Sequence, residues 1–215
     1  MRFVFGFFLL LSISAPAQDL HKLAGSVDHR YNNLRSLETE FTETYRGPGV
    51  VRTESGTLWL KRPGKMRWDY RQPRPKLFLS DGRSAWFYVP GEQQARKAPI
   101  KKLEDFRSPI RYLLGKTKLE KEFGKLVLAP DMKPLDAGDV VLRGVPKGME
   151  DRVTQVLLEI TPDSHIRRIL IEEADGSTTD FQFTAQKQDV DISDARFKFT
   201  PPPGVETVEA TELAQ

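Results

Sequence analysis

The stretch GTLWLKRPGKMRWDY, residues 56–70, decides how this chain folds. Its period is two. Met66, Trp68 and Tyr70 fall on one side of a strand, and Lys65, Arg67 and Asp69 on the other. Before them, Leu58 and Leu60 share a side opposite Trp59. Lys61-Arg62-Pro63 separates the two apolar runs, so Arg62 sits at a strand end beside a greasy surface. Pattern alone reads it as a solvated end charge.

The same period continues on both sides. Upstream, LETEFTETYR (37–46) alternates around Phe41. Downstream, KLFLS (76–80) and SAWFYV (84–89) are joined through Asp81-Gly82, a strong hairpin signal. Further strands are expected at 125–129, 139–143, 153–160 and 166–173, and Asp175-Gly176 leads into another at 178–186. RFKFTPPPG (196–204) reads as a closing strand, with Phe197 and Phe199 on one face and the prolines ending it. Two segments break the strand period. Leu20, Leu23, Val27, Tyr31 and Leu34 step by three or four, which predicts an amphipathic N-terminal helix capped by Asp19 and fading near Asn32-Asn33. In APIKKLEDFRSPIRYLLGK (98–116), Leu103, Phe106, Ile110, Leu113 and Leu114 follow helical spacing. Ser108-Pro109 is a helix start and Gly115 a stop, so two short helices are expected at about 101–107 and 109–114. An antiparallel meander with short turns predicts a barrel, a half-barrel or a sandwich. Apolar residues on both faces of 57–60 and 84–89 mean that both faces meet something apolar.

The first residues, MRFVFGFFLLLSISAPAQ, have a basic start, an apolar run from Phe3 to Ile13 and small residues at Ala15 and Ala17. This reads as a secretory leader, 1–17, cleaved before Gln18, since the run falls short of the roughly 20 residues a membrane span needs. Residues 18–215 then form a single exported domain. The chain has no cysteine, so neither a disulfide framework nor lipidation of an N-terminal cysteine is available to it. A net charge of +3 does not call for a nucleic-acid partner.

Catalytic and metal signatures are weak. His21 and His29 lie two helical turns apart, and His165 follows a turn, so all three read as surface residues with no metal role. Glu172 and Glu173 point to opposite faces of a strand and cannot act together. No nucleophile elbow or phosphate loop appears, and no cofactor is implied. The basic cluster Lys61, Arg62, Lys65, Arg67, Arg71, Arg74 and Lys76 has two readings: a solvated, charge-protected strand face, or a docking surface for an acidic partner or anionic headgroups.

GTLWLKRPGKMRWDY, then LFLSDGRSAWFYVPGEQQ, SPIRYLLG and FKFTPPPGV, in that order and spacing, resemble the LolA family of outer-membrane lipoprotein carriers over roughly 20–208. The resemblance implies an α+β fold: an incomplete antiparallel β-barrel, or half-barrel, with an α-helical lid over a hydrophobic cavity and the amphipathic helix at the N-terminus. It implies a non-enzymatic periplasmic chaperone. Its cargo would be triacylated lipoproteins, taken from an inner-membrane ABC-type transporter and passed to the outer-membrane receptor LolB or an equivalent, and the protein would be a monomer. The family's K-R-P arginine falls on Arg62, which would latch the lid through backbone carbonyls. The implied lipid-binding residues are Leu58, Leu60, Met66, Trp68, Leu77, Leu79, Trp86 and Tyr88 on strands, with Ile110, Leu113 and Leu114 on the lid. Burying an acyl chain of about 15 methylenes at about 0.8 kcal/mol each yields roughly 12 kcal/mol, and three chains roughly 36. That exceeds the ~18–21 kcal/mol ceiling of non-covalent affinity, so either part of the gain is offset, as a breakable polar latch would do, or part of the lipid stays outside. Other readings are LolB itself, which needs a lipidated cysteine that is absent here, a periplasmic lipid- or protein-sensing module of the same fold, and a small hydrolase.

Overall fold

A computed structural model of the chain describes residues 19–100, 113 and 118–210. Helix α1 (Leu20–Asn33) begins where the Asp19 carboxylate accepts from the backbone N–H of His21 at 2.9 Å and of Lys22 at 3.4 Å. It buries Leu23, Ala24, Val27 and Tyr31 on one face, as the spacing requires. The strands follow: β1 (Ser36–Gly47), β2 (Val50–Lys61), β3 (Lys65–Gln72), β4 (Lys76–Asp81), β5 (Ser84–Tyr88) and β6 (Gln94–Pro99). After a short helix α2 (Leu119–Glu122) come β7 (Val127–Leu128), β8 (Val140–Gly144), β9 (Val153–Ile160), β10 (Ile166–Glu173), β11 (Thr178–Gln188) and β12 (Glu206–Glu209).

Among the described residues all twelve strands form one sheet, ordered β12-β6-β5-β4-β3-β2-β1-β11-β10-β9-β8-β7. Neighbours are antiparallel except β12, which runs parallel to β6. The sheet does not close, and β12 and β7 are its edges. It nonetheless curls. In a flat sheet β3 and β11, three spacings apart, would lie about 14 Å from each other. The rings of Trp68 on β3 and Phe181 on β11 are 5.9 Å apart, and Phe41 on β1 meets Trp68 at 4.6 Å. One cluster joins α1 to residues from β1, β2 and β3 and from β8 to β11, so α1 lies within the curl.

The hairpins follow the predicted turn chemistry. Asp81 accepts from the N–H groups of Arg83 and Ser84, and Gly82 takes φ 92°, a conformation open to glycine. Gly56 answers a different need. At the irregular register between β2 and β3, a Cβ there would stand 1.9 Å from the carbonyl oxygen of Asp69.

The expected closing strand at 196–200 is absent. Asp194–Phe197 is a 3-10 turn, capped by Ser193, and the last strand, β12, comes after the prolines. Residues 190–200 instead form a strap across the outer face of the sheet, burying Ile192 and Phe197. Lys61 and Lys65 reach the two oxygens of Asp194 at 2.7 and 2.6 Å, and Lys61 also donates to the carbonyl of Ile192. Arg196 lies over the Trp59 ring, and Phe199 packs on Trp86 and Tyr88. On the other half of the outer face, residues 129–139 cover β8 to β10. Leu135 donates its N–H to Glu159, and Met132 packs against Ala129, Val141 and Leu157. Burial pushes the Glu159 carboxyl up.

Two outcomes follow from this packing. Gly56→Ala is expected to lower stability by about 1–3 kcal/mol, read from urea unfolding, because β2 and β3 must part to admit the methyl group. The Asp194 carboxyl is held down at about 2, from 3.8, by hydrogen bonds from Lys61 and then Lys65. Its contribution is therefore full above about pH 4 and is lost as pH falls towards about 2. Wild type and Asp194→Asn, unfolded across that range, should differ by a constant amount above it and converge at its acid end. A difference that shrinks already at mildly acidic pH would refute the assignment.

Candidate functional site

Arg62 stands in the β2–β3 hairpin. Its own N–H donates to Arg35 O at 2.9 Å, which ties the hairpin to the chain leaving α1. From that anchor the guanidinium reaches the last turn of α1, with Nη1 donating to Asn32 O at 2.7 Å and Nη2 to Tyr31 O at 2.5 Å. These are carbonyls that a helix C-terminus leaves without intrahelical partners, and a cation is favoured there by the helix dipole. Arg62 is half-buried rather than a solvated end charge. The guanidinium's described partners belong to α1. Residues 101–112 and 114–117, where the expected lid falls, lie outside the described residues.

The same turn of α1 is held from the opposite limb of the curl. The fully buried Tyr31 hydroxyl accepts from the N–H of Ile166 at 2.9 Å and donates to Gln186 Oε1 at 3.3 Å. Gln186 in turn donates to Ile166 O. Burial pushes the Tyr31 hydroxyl far above the usual range, so it stays protonated. Arg30 adds a bond to Gln188 Oε1 at 2.7 Å.

The predicted lipid-binding residues fall into two groups. Leu58 pairs with Trp68 and Leu60 with Met66 on the inner face, in one cluster with α1. Leu113 is buried in that cluster too, whereas Ile110 and Leu114 lie outside the described residues. Leu77, Leu79, Trp86 and Tyr88 are on the outer face, which corrects the sequence assignment. Register sets them opposite Asp69 and Arg67 and beside each other, and the strap residue Phe199 covers the two rings. Trp68 pairs instead with Phe78, and Phe78 with Phe87, so the inner face of this limb carries Phe78, Ser80, Ala85 and Phe87. The run Leu77-Phe78-Leu79 is apolar at every position and hides its phase. The usable signal was the alternation of Met66, Trp68 and Tyr70, carried through the turn that pairs Tyr70 with Lys76.

Most of the basic cluster is consumed internally. Lys61 and Lys65 hold Asp194, and Arg67 holds Asp69 and the carbonyl of Arg196. Arg71 bonds Thr57 and Glu40, and Lys76 bonds Glu54. The cluster fastens the strap and the strands rather than standing open as a basic face.

The result is an unclosed, curled sheet, apolar within, whose central helix is clasped at one end by an arginine. Residues 32–200 match the family model described as outer membrane lipoprotein carrier protein LolA. The outer-membrane lipoprotein carrier protein of Nitrosospira multiformis is 30% identical over 209 residues, covering 95% of each chain. That of Alkalilimnicola ehrlichii is 31% identical over 196 residues, covering 84% of this chain and 80% of its own. Among solved structures, an uncharacterized conserved protein from Thermus thermophilus superposes with a TM-score of 0.59 at 13% identity, over 90% of this chain and all of its own. Lipoprotein LppX of Mycobacterium tuberculosis does so with a TM-score of 0.51 at 13% identity, over 81% of this chain and all of its own. These two likenesses concern the fold alone. The match over 32–200, together with relatives aligned along nearly the full chain, shows that this protein belongs to the LolA family of outer-membrane lipoprotein carrier proteins.

Proposed function

We propose that the protein is a periplasmic carrier that shields the acyl chains of triacylated lipoproteins. It would receive them from an inner-membrane ABC-type transporter and surrender them to LolB or an equivalent receptor at the outer membrane. In this reading residues 1–17 are removed on export, 18–215 act as one monomeric domain, and the work is binding rather than catalysis. The half-barrel holds the acyl chains against its inner face. In this reading Arg62 is the latch.

The observation that carries this reading is the clasp. Family membership alone implies a carrier; the two bonds from Arg62 to the end of α1 supply the energetic cost that such a carrier needs. Bonds from a charged donor contribute about 1.5–3 kcal/mol each, of the right size to offset part of a very large hydrocarbon transfer energy without abolishing binding. A guanidinium suits the task, because its fork addresses two carbonyls at once and keeps its charge at any relevant pH.

Arg62→Leu is therefore expected to fold with a wild-type circular dichroism spectrum and to retain cargo. Acyl ligands should bind at least about a hundredfold more tightly, and transfer to receptor-bearing liposomes should slow by a similar factor, as the loss of two bonds of about 1.5–3 kcal/mol each requires. Arg62→Lys, which cannot span both carbonyls in one plane, should fall between. Transfer at the wild-type rate by the leucine variant would remove the latch role. The carrier reading itself is tested by purification from periplasm and mass spectrometry. Absence of any triacylated lipoprotein, with no uptake from transporter-containing membranes, would overturn it.

A further inference from the structure

The inner face changes character part of the way along the strands. Beside Arg62 it is aliphatic: Leu60 and Met66 are opposite each other, with Leu37 alongside. Two residues further come Leu58 and Trp68, then Gly56 and Tyr70, with Phe41 next to Gly56. Here aromatic rings from three strands meet across the curl. Phe41 lies 4.6 Å from Trp68 and 4.9 Å from Tyr70, and Phe181 lies 5.9 Å from Trp68. Phe41, Trp68 and Phe181 are all buried. Such edge-to-face packing closes the space between the limbs rather than lining an opening.

Immediately past the rings the face of this limb becomes polar. The Tyr70 hydroxyl donates to Glu43 at 2.7 Å, and Lys76 donates to Glu54 at 2.6 Å while lying 4.0 Å above the Tyr70 ring. Arg52 adds an ion pair to Glu54 at 3.3 Å. Burial pushes the Glu43 carboxyl up, which marks a poorly solvated site. Hydrocarbon pushed into this row would have to part Tyr70 from Glu43 and Lys76 from Glu54 and leave charged groups without partners, a cost that grows with every pair broken. From Met66 to Trp68, the first of the rings, the aliphatic stretch is about 7 Å deep.

We infer that the aromatic cluster of Phe41, Trp68, Tyr70 and Phe181, anchored to Glu43 through the Tyr70 hydroxyl, is the floor of the acyl compartment and sets the longest acyl chain that the protein buries in full. Trp68, at the centre, is the specificity-determining residue. The inference rests on the carrier reading, and names the feature of the cargo that the same site measures.

The test is a homologous series of synthetic lipopeptides differing only in acyl length, titrated against the purified protein by competition with a fluorescent fatty-acid analogue. Each methylene that enters the compartment should tighten binding about fourfold. For the wild type the gain should stop at a definite length. In Trp68→Leu it should continue to longer chains, so that the variant outbinds the wild type only for those. Glu43→Leu, which makes the row below apolar, should shift the stop in the same direction, and Trp59→Leu on the outer face should leave it in place. If Trp68→Leu does not fold, Trp68→Phe keeps a ring and should give a smaller shift of the same sign. A stop that stays at the wild-type length in folded inner-face variants overturns the floor. Failure of the wild type to bind any member of the series is a different result and overturns the carrier reading itself.

Discussion

The guanidinium of Arg62 joins what the sheet leaves apart. Among the described residues the open sheet of twelve strands has two limbs and no hydrogen bonds between its ends, so something other than a strand bridges them. The last turn of α1 does so. Its backbone carbonyls are taken by Arg62 from the β2–β3 hairpin, and its Tyr31 hydroxyl is taken by Ile166 and Gln186 from the opposite limb. Helix end, hairpin and both limbs thus meet at one small polar knot set in an otherwise apolar interior. The knot combines full burial at Tyr31 with half-burial at Arg62, so one fastening is inaccessible to water while the other lies within its reach. That asymmetry leaves the Arg62 side the more accessible of the two.

Much of this was legible in the residues. Helical spacing from Leu20 to Tyr31 located α1 and its buried face, and the strands expected at 153–160 and 166–173 coincide with β9 and β10. The phase of β4 and β5 was not legible. Leu77, Phe78 and Leu79 are all apolar because both faces of those strands are covered, the inner by the core and the outer by the strap. Alternation therefore carries no information there. The strap was missed for a related reason: Phe197 and Phe199 have strand spacing, but Phe199 packs on Trp86 and Tyr88, and Asp194 pairs with the lysines of a distant hairpin, which no local pattern reveals. The role of Arg62 was equally invisible to local pattern, since its partners are backbone carbonyls some 30 positions earlier in the chain.

The two faces of the sheet use their polar residues differently. On the outer face, charged pairs such as Lys61 and Lys65 with Asp194 hold a covering segment in place at a boundary with water. On the inner face, Glu43, Tyr70, Lys76 and Glu54 are satisfied among themselves and mark where apolar lining ends. Lys65 and Lys76 come from the same basic cluster, yet the alternation of β3 and the turn into β4 send them to opposite sides. Composition counts them together; topology gives them separate tasks.

The unclosed sheet also bears on how molecules of this protein meet one another. A free edge offers unpaired backbone groups to any passing strand, and an interior rich in hydrocarbon makes such an encounter hard to reverse. Here one edge, β7, is two residues long, too short to template a partner. The other, β12, is four residues long, begins and ends in glutamate and follows a run of three prolines. A second copy approaching that edge would bring its own glutamates alongside and find few donors to pair with. Strand-by-strand polymerisation is thus disfavoured at both ends, and the sheet can stay open without becoming a seed for fibres.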